Sequence, residues 1–137
     1  MVTSNIKMII GKYASLHRNL TRRVMEAEAG VMGQLLRKGF REQTDPYGNK
    51  WEKNSDGSKF DRNGAIQKSF KTSYTDDSAK IESDLDFAIF HQTGTKRLPQ
   101  RRMLPDEAGG GLEKSTWQAP MHEVLSKVVR RIMNNAT

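Results

Sequence analysis

A chain of 137 residues, 35% of them hydrophobic, has the length of one domain with a modest core, and residues 1–137 read as a single unit. Its formal net charge of +7 favours polyanionic or acidic partners, although the basic residues are spread along the chain as on a solvated surface. The absence of cysteine excludes disulfides and thiolate metal sites, and no apolar run reaches bilayer length, so no membrane role is expected.

The spacing predicts a helix over residues 4–43. Apolar residues recur every three or four positions from Ile6 and Ile9 through Ile10, Tyr13, Leu16 and Leu20, and on to Leu36 and Phe40. Thr3 or Ser4 can cap the start, and Pro46 bars continuation. Gly30 and Gly33 weaken the middle by about 1 kcal/mol each relative to alanine. They either divide the helix or admit a neighbouring backbone. Unbroken, it would run roughly 60 Å, longer than such a domain is wide.

Residues 44–64 carry turn chemistry throughout, with Asp45-Pro46, Asp56-Gly57 and Asn63-Gly64 among the signals. A polar connection of this length is usually functional, and Tyr47, Trp51 and Phe60 within it suit a contact surface. Two strands are expected next, 66–75 with Ile66, Phe70 and Tyr74 on one face, and 78–87 with Ala79, Ile81, Leu85 and Phe87 on one face. Thr75 to Ser78 form the hairpin turn. Phe87 to Gly94 then read as a helical turn, with Gly94 as its stop. A second arm, 95–114, is basic at Lys96, Arg97, Arg101 and Arg102, apolar at Met103 and Leu104, and glycine-rich at 109–111. A helix over 116–134 closes the chain, with Ser115 and Gln118 at capping-box spacing and Pro120 in its first turn. The fold class is α+β: a long N-terminal helix, a small antiparallel β-sheet, a C-terminal helix and two long loop arms.

Chemistry is sparse. His17, His91 and His122 are far apart in sequence, and Glu82, Asp84 and Asp86 fit a solvated strand face better than a cation site. Gly94-Thr95-Lys96 fails as a phosphate loop because lysine does not directly follow glycine. His91 alone has a catalytic look, but no nucleophile or carboxylate partner accompanies it. The expectation is a protein that is not an enzyme, with no catalytic residue, metal or cofactor. The loop 96–102 can meet phosphates but contains no aromatic for base stacking, so any DNA contact would be non-specific.

Five features stand in order along the chain: the long helix; Pro46-Tyr47-Gly48-x-x-Trp51; Asn63-Gly64-Ala65-Ile66-x-x-Ser69; Phe87-Ala88-x-Phe90-His91-Gln92-x-Gly94; and Leu98-Pro99-x-Arg101-x-Met103-Leu104. Together they resemble the Mu-type phage virion morphogenesis proteins, related to myophage tail-completion proteins, over roughly residues 30–130. Two stretches depart from the pattern. Arg62-Asn63-Gly64-Ala65-Ile66 stands where Thr-Gly-x-Leu is usual, and Arg102-Met103 replace Pro-Phe. The resemblance implies a structural subunit of the head–tail junction, a tail completion, tail terminator or neck protein. It would form a homo-oligomeric ring, expected to be a hexamer, joining phage tail tube or sheath to neck or connector proteins in the virion after assembly in the host cytoplasm. The alternative class is a basic DNA-associated accessory protein. On the assembly reading Tyr47, Trp51, Phe60, Lys96, Arg97, Arg101, Arg102, Met103 and Leu104 are interface candidates. Arg101, stiffened by Pro99, is expected to pair with a carboxylate across a subunit boundary. Gly64, His91, Gln92, Gly94 and Pro99 are expected to be structural anchors, and both arms to become ordered on assembly.

Overall fold

A computed structural model describes residues 4–9 and 18–135. In chain order these form β1 (Ser4–Ile9), α1 (Arg18–Glu42), α2 (Ala65–Ser69), β2 (Phe70–Tyr74), β3 (Ser78–Ser83), α3 (Ala88–Thr93) and α4 (Gln118–Asn135). The architecture is the expected α+β arrangement. The sheet has three strands in the order β1-β3-β2, both pairings antiparallel. Helix α1 packs against β2 and β3 and also against α4.

The first helix begins later than its periodicity suggests. Residues 4–9 form a strand, because Asn5, Ile6, Lys7 and Met8 also alternate with period two and β3 supplies a ladder for them, from Ser4 opposite Ser83 to Ile9 opposite Ser78. Pairing there covers an edge of β3 that would otherwise be open. Ser4 is therefore a strand residue and not a helix cap. Thr3, Ile10, Tyr13, Leu16 and His17 lie outside the described residues. From Arg18 the helix runs 25 residues without a break through Gly30 and Gly33, roughly 37 Å at the usual rise. Leu20, Val24, Met25, Met32, Leu36 and Phe40 form its buried stripe.

The expected strand 66–75 is split. The Asp61 carboxylate accepts the Ile66 and Gln67 amides, each at 2.8 Å, and so satisfies the first donors of a short helix, α2, opened by Gly64. Only Phe70–Tyr74 remain for β2, where Phe70 and Tyr74 are the half-buried residues. The turn closes with the Thr75 amide donating to the Ser78 carbonyl at 2.8 Å. Strand β3 buries Ala79, Ile81 and Ser83 in strict alternation and stops short of residue 87. There the Ser83 hydroxyl bonds that of Ser69 at 2.7 Å and accepts the Leu85 amide at 3.2 Å, which turns the chain toward α3.

Neither arm extends from the body. Residues 44–64 fold back so that Trp51 and Phe60 join Phe40 in the core, with the Trp51 ring 5.0 Å from Phe40 and 5.3 Å from Phe60 in edge-to-face contact. The Gln43 amide holds the loop's two ends together. It donates to the Phe40 and Phe60 carbonyls and accepts the Phe60 amide at 2.9 Å. The second arm buries Arg101, Met103 and Leu104. Turn chemistry signals the absence of regular structure, and here the irregular chain is nevertheless packed.

Candidate functional site

The segment from Phe87 to Asp106 is organised by Gln92. Helix α3 is short, and Ala88 and Gln92, one turn apart, are its buried residues. The Gln92 carboxamide oxygen accepts the Met103 and Leu104 amides at 2.8 and 3.0 Å. Its nitrogen donates to the Leu104 carbonyl at 2.7 Å and to the Asp106 carboxylate at 3.0 Å. One buried side chain thus uses its full hydrogen-bonding capacity, mostly on the loop backbone, as a substitute for a neighbouring strand. This is where the structure places Gln92, a residue expected to be a structural anchor. Main-chain bonds continue the grip, with the Arg101 amide donating to the His91 carbonyl at 2.7 Å and the Gln100 side chain to the Gln92 carbonyl at 3.1 Å.

Gly94 lets the chain leave α3 toward this loop. Its φ is +77°, and a β-carbon there would stand 3.0–3.1 Å from Gln100 atoms, two of them backbone. The next four residues form a tight turn. The Thr95 amide donates to the Leu98 carbonyl at 2.9 Å, and the Thr95 hydroxyl accepts the Arg97 and Leu98 amides. Lys96 and Arg97 are exposed at its tip, and Pro99 is half-buried behind them.

Arg101 does not reach outward. In place of the partner carboxylate expected for it, its guanidinium donates to the Glu52 carbonyl at 2.7 Å and the Lys53 carbonyl at 3.1 Å and stacks over the Phe60 ring at 4.7 Å. It is 3% exposed, and burial holds its pKa below the ordinary arginine value. It binds one arm to the other inside the subunit. Met103, Leu104, Trp51 and Phe60 are likewise core residues here rather than a presented surface. The reason is shared: the loop backbone satisfies its polar groups on Gln92 and on the Trp51 indole, which donates to the Arg102 carbonyl at 3.0 Å, so its apolar side chains can be buried.

A second knot joins Tyr47, Arg102 and Asp106. The Tyr47 hydroxyl donates to the carbonyl of Gly111 at 2.8 Å, lies 3.0 Å from that of Asp106 and accepts the Asp106 amide at 3.2 Å. Arg102 pairs with the Asp106 carboxylate at 2.8 Å and lies over the Tyr47 ring at 5.7 Å. Burial, the largest cause, pushes the Tyr47 pKa up. Gly109 lies flat against this ring, where any β-carbon would collide with it.

His91 sits against Phe60, ring centroids 4.8 Å apart, and edge-on to Phe87 at 6.2 Å. Its Nδ1 is buried without a hydrogen-bond partner. Burial and then the positive charge of Arg101 hold its pKa below the usual histidine value, with Asp61 acting weakly the other way. The imidazole therefore serves as a neutral ring in an aromatic cluster. Among the described residues no group of His, Asp and Glu converges as a metal site. Glu82 is at the end of β3, with Asp84 and Asp86 beyond it.

Several residues of consequence carry no sequence signal strong enough to single them out. Gln43, Asp61 and Asp106 act through bonds to chain 5–60 residues away. Glu28 is the sharpest case. It is 1% exposed on α1, neither carboxylate oxygen has a hydrogen bond, and burial raises its pKa to about 7. The Leu125 backbone on α4 opposes that shift without completing a bond.

A family model described as the phage virion morphogenesis family matches residues 1–121. The chain belongs to that family, as its motif order suggests. Neither the curated proteins nor the solved structures contain a significant match.

Proposed function

We propose that this phage virion morphogenesis protein is a structural subunit of the head–tail junction, a tail-completion, terminator or neck ring that joins the tail to the connector and carries no catalytic residue. One observation supports this most. The polar residues of its central motif (Gln92, Arg101 and the His91 carbonyl) are committed to holding a loop inside the subunit. What that loop leaves outside is a hydrogen-bonded turn with Lys96 and Arg97 exposed, a few residues along the chain from the exposed rings of Phe87 and Phe90. Such a part presents contacts and performs no bond chemistry. A rigid, preorganised contact loses less side-chain and loop entropy when it docks, which matters for a subunit that must grip a neighbour and two different end partners.

Native mass measurement on the purified chain, with copy number per particle in purified virions, tests the reading. A closed oligomer of defined number and a fixed low copy number are expected. A free monomer that binds DNA in a salt-sensitive way, with no fixed copy number in particles, would overturn it in favour of the DNA-associated class. The exposed Lys127, Arg130 and Arg131 of α4 would be the first residues to examine then.

A further inference from the structure

Two exposed rings at α3 and a groove between α1 and α4 stand outside the loop clamp. Among the described residues the exposed large hydrophobics are Phe87 (46%), Phe90 (49%) and Met133 (58%), so two of the three stand together at α3. The position of Phe90 follows from the clamp. At about 100° per residue it lies about 200° around α3 from Gln92, so gripping the loop with Gln92 turns Phe90 outward. Beside it the 95–98 turn exposes Lys96 and Arg97, and neither forms an ion pair among the described residues.

Beyond the clamp, Met103 helps line a half-open groove of about 230 Å³ between the end of α1 and the start of α4. Its apolar walls come from Leu35, Pro46, Trp117 and Pro120. Small-molecule sites start near roughly 300 Å³, so the scale here is that of a side chain. Lys38, Glu42 and Asp45 are the charged residues lining the same groove, two acidic against one basic, and Glu42 is an exposed carboxylate with no ion pair among the described residues.

We propose that Phe90 of one copy of this chain, flanked by Lys96 and Arg97, seats in the groove between α1 and α4 of a second copy, with Glu42 receiving the basic turn. Phe90, Lys96 and Arg97 do not line the groove of their own chain. As proposed, the contact is heterologous, one patch of each copy meeting a different patch of the next. Such a contact repeats from copy to copy and closes into a ring where the rotation permits. An apolar anchor in a pocket with opposite charges at its rim is also the usual anatomy of a specific protein contact. The inference rests on the assembly reading above and adds the surfaces that carry it.

The chain contains no cysteine, so introduced thiols report contacts without background. Thr93→Cys, one helical turn from Phe90, and Lys38→Cys, on the groove wall, are purified separately and mixed where the wild type assembles. A disulfide-linked mixed dimer is expected as the main product, with much less cross-linking in either variant alone. Phe90→Ala is expected to weaken self-association at least tenfold in sedimentation while the melting temperature stays unchanged. Glu42→Arg is expected to do the same and to be rescued by Arg97→Glu. Assembly without the mixed cross-link, or with Thr93→Cys linking only to itself, overturns this contact and leaves the assembly reading standing. A wild-type chain that stays monomeric at every concentration overturns both.

Discussion

Replacing Glu28 with glutamine is expected to stabilise the subunit above neutral pH while changing little of its pH-dependent stability near pH 4. The carboxyl group lies on α1, 1% exposed, with no hydrogen bond to either oxygen and with α4 packed against the same helix. Burial raises its folded pKa from 4.5 to about 7. Below the unfolded value both states hold the proton, and the group contributes nothing to pH dependence. Between the two values the unfolded chain ionises while the folded one stays protonated, so stability falls as pH rises through this window. Above about pH 7 the loss is complete. A displacement of that size corresponds to about 3 kcal/mol at roughly 1.4 kcal/mol per unit, a large part of the stability of a domain this small. Urea unfolding followed by Trp51 and Trp117 fluorescence at pH 4, 6 and 8 measures it. Glutamine adds an unsatisfied amide of its own, a constant offset, so the quantity to read is the wild-type-minus-variant difference between pH 4 and pH 8. A difference that is the same at both ends would refute the reasoning and mean that Glu28 is solvated or paired in solution.

Arg101→Met keeps the stem of the side chain but strands the Glu52 and Lys53 carbonyls and removes the stacking on Phe60. It is expected to cost about 2–4 kcal/mol of subunit stability in urea unfolding, and an unchanged midpoint would return Arg101 to a role between subunits. His91, whose folded pKa is lowered by burial and Arg101, contributes stability that is intact above its unfolded pKa and is lost as pH falls through the folded value. His91→Gln should therefore flatten the loss of stability below about pH 6.5. A wild-type-minus-variant difference that stays constant from pH 7 to pH 5 would count against the neutral buried ring.

Local pattern determined much of this protein. The stripe from Leu20 to Phe40, the closing helix, the Thr75–Ser78 turn and the stop at Gly94 are legible because each depends on neighbours within about four residues, where side-chain spacing and φ requirements act directly. Gly94 had to be glycine for a conformation the sequence already announced. The order of the long helix and four short motifs likewise carried the family. Tertiary structure decided the rest. Whether residues 4–9 would be helix or strand rested on β3, about seventy to eighty residues away, because their spacing suits either period. Arg101 looked like a presented guanidinium until the carbonyls of Glu52 and Lys53, 49 and 48 residues earlier, were brought beneath it. Glu28 reads as one more charge on a solvated helix face, and only the packing of α4 on α1 removes its water. Backbone geometry and periodicity act over one or two turns, but desolvation and hydrogen-bond satisfaction depend on which distant segments close over a group, and a linear pattern does not encode that.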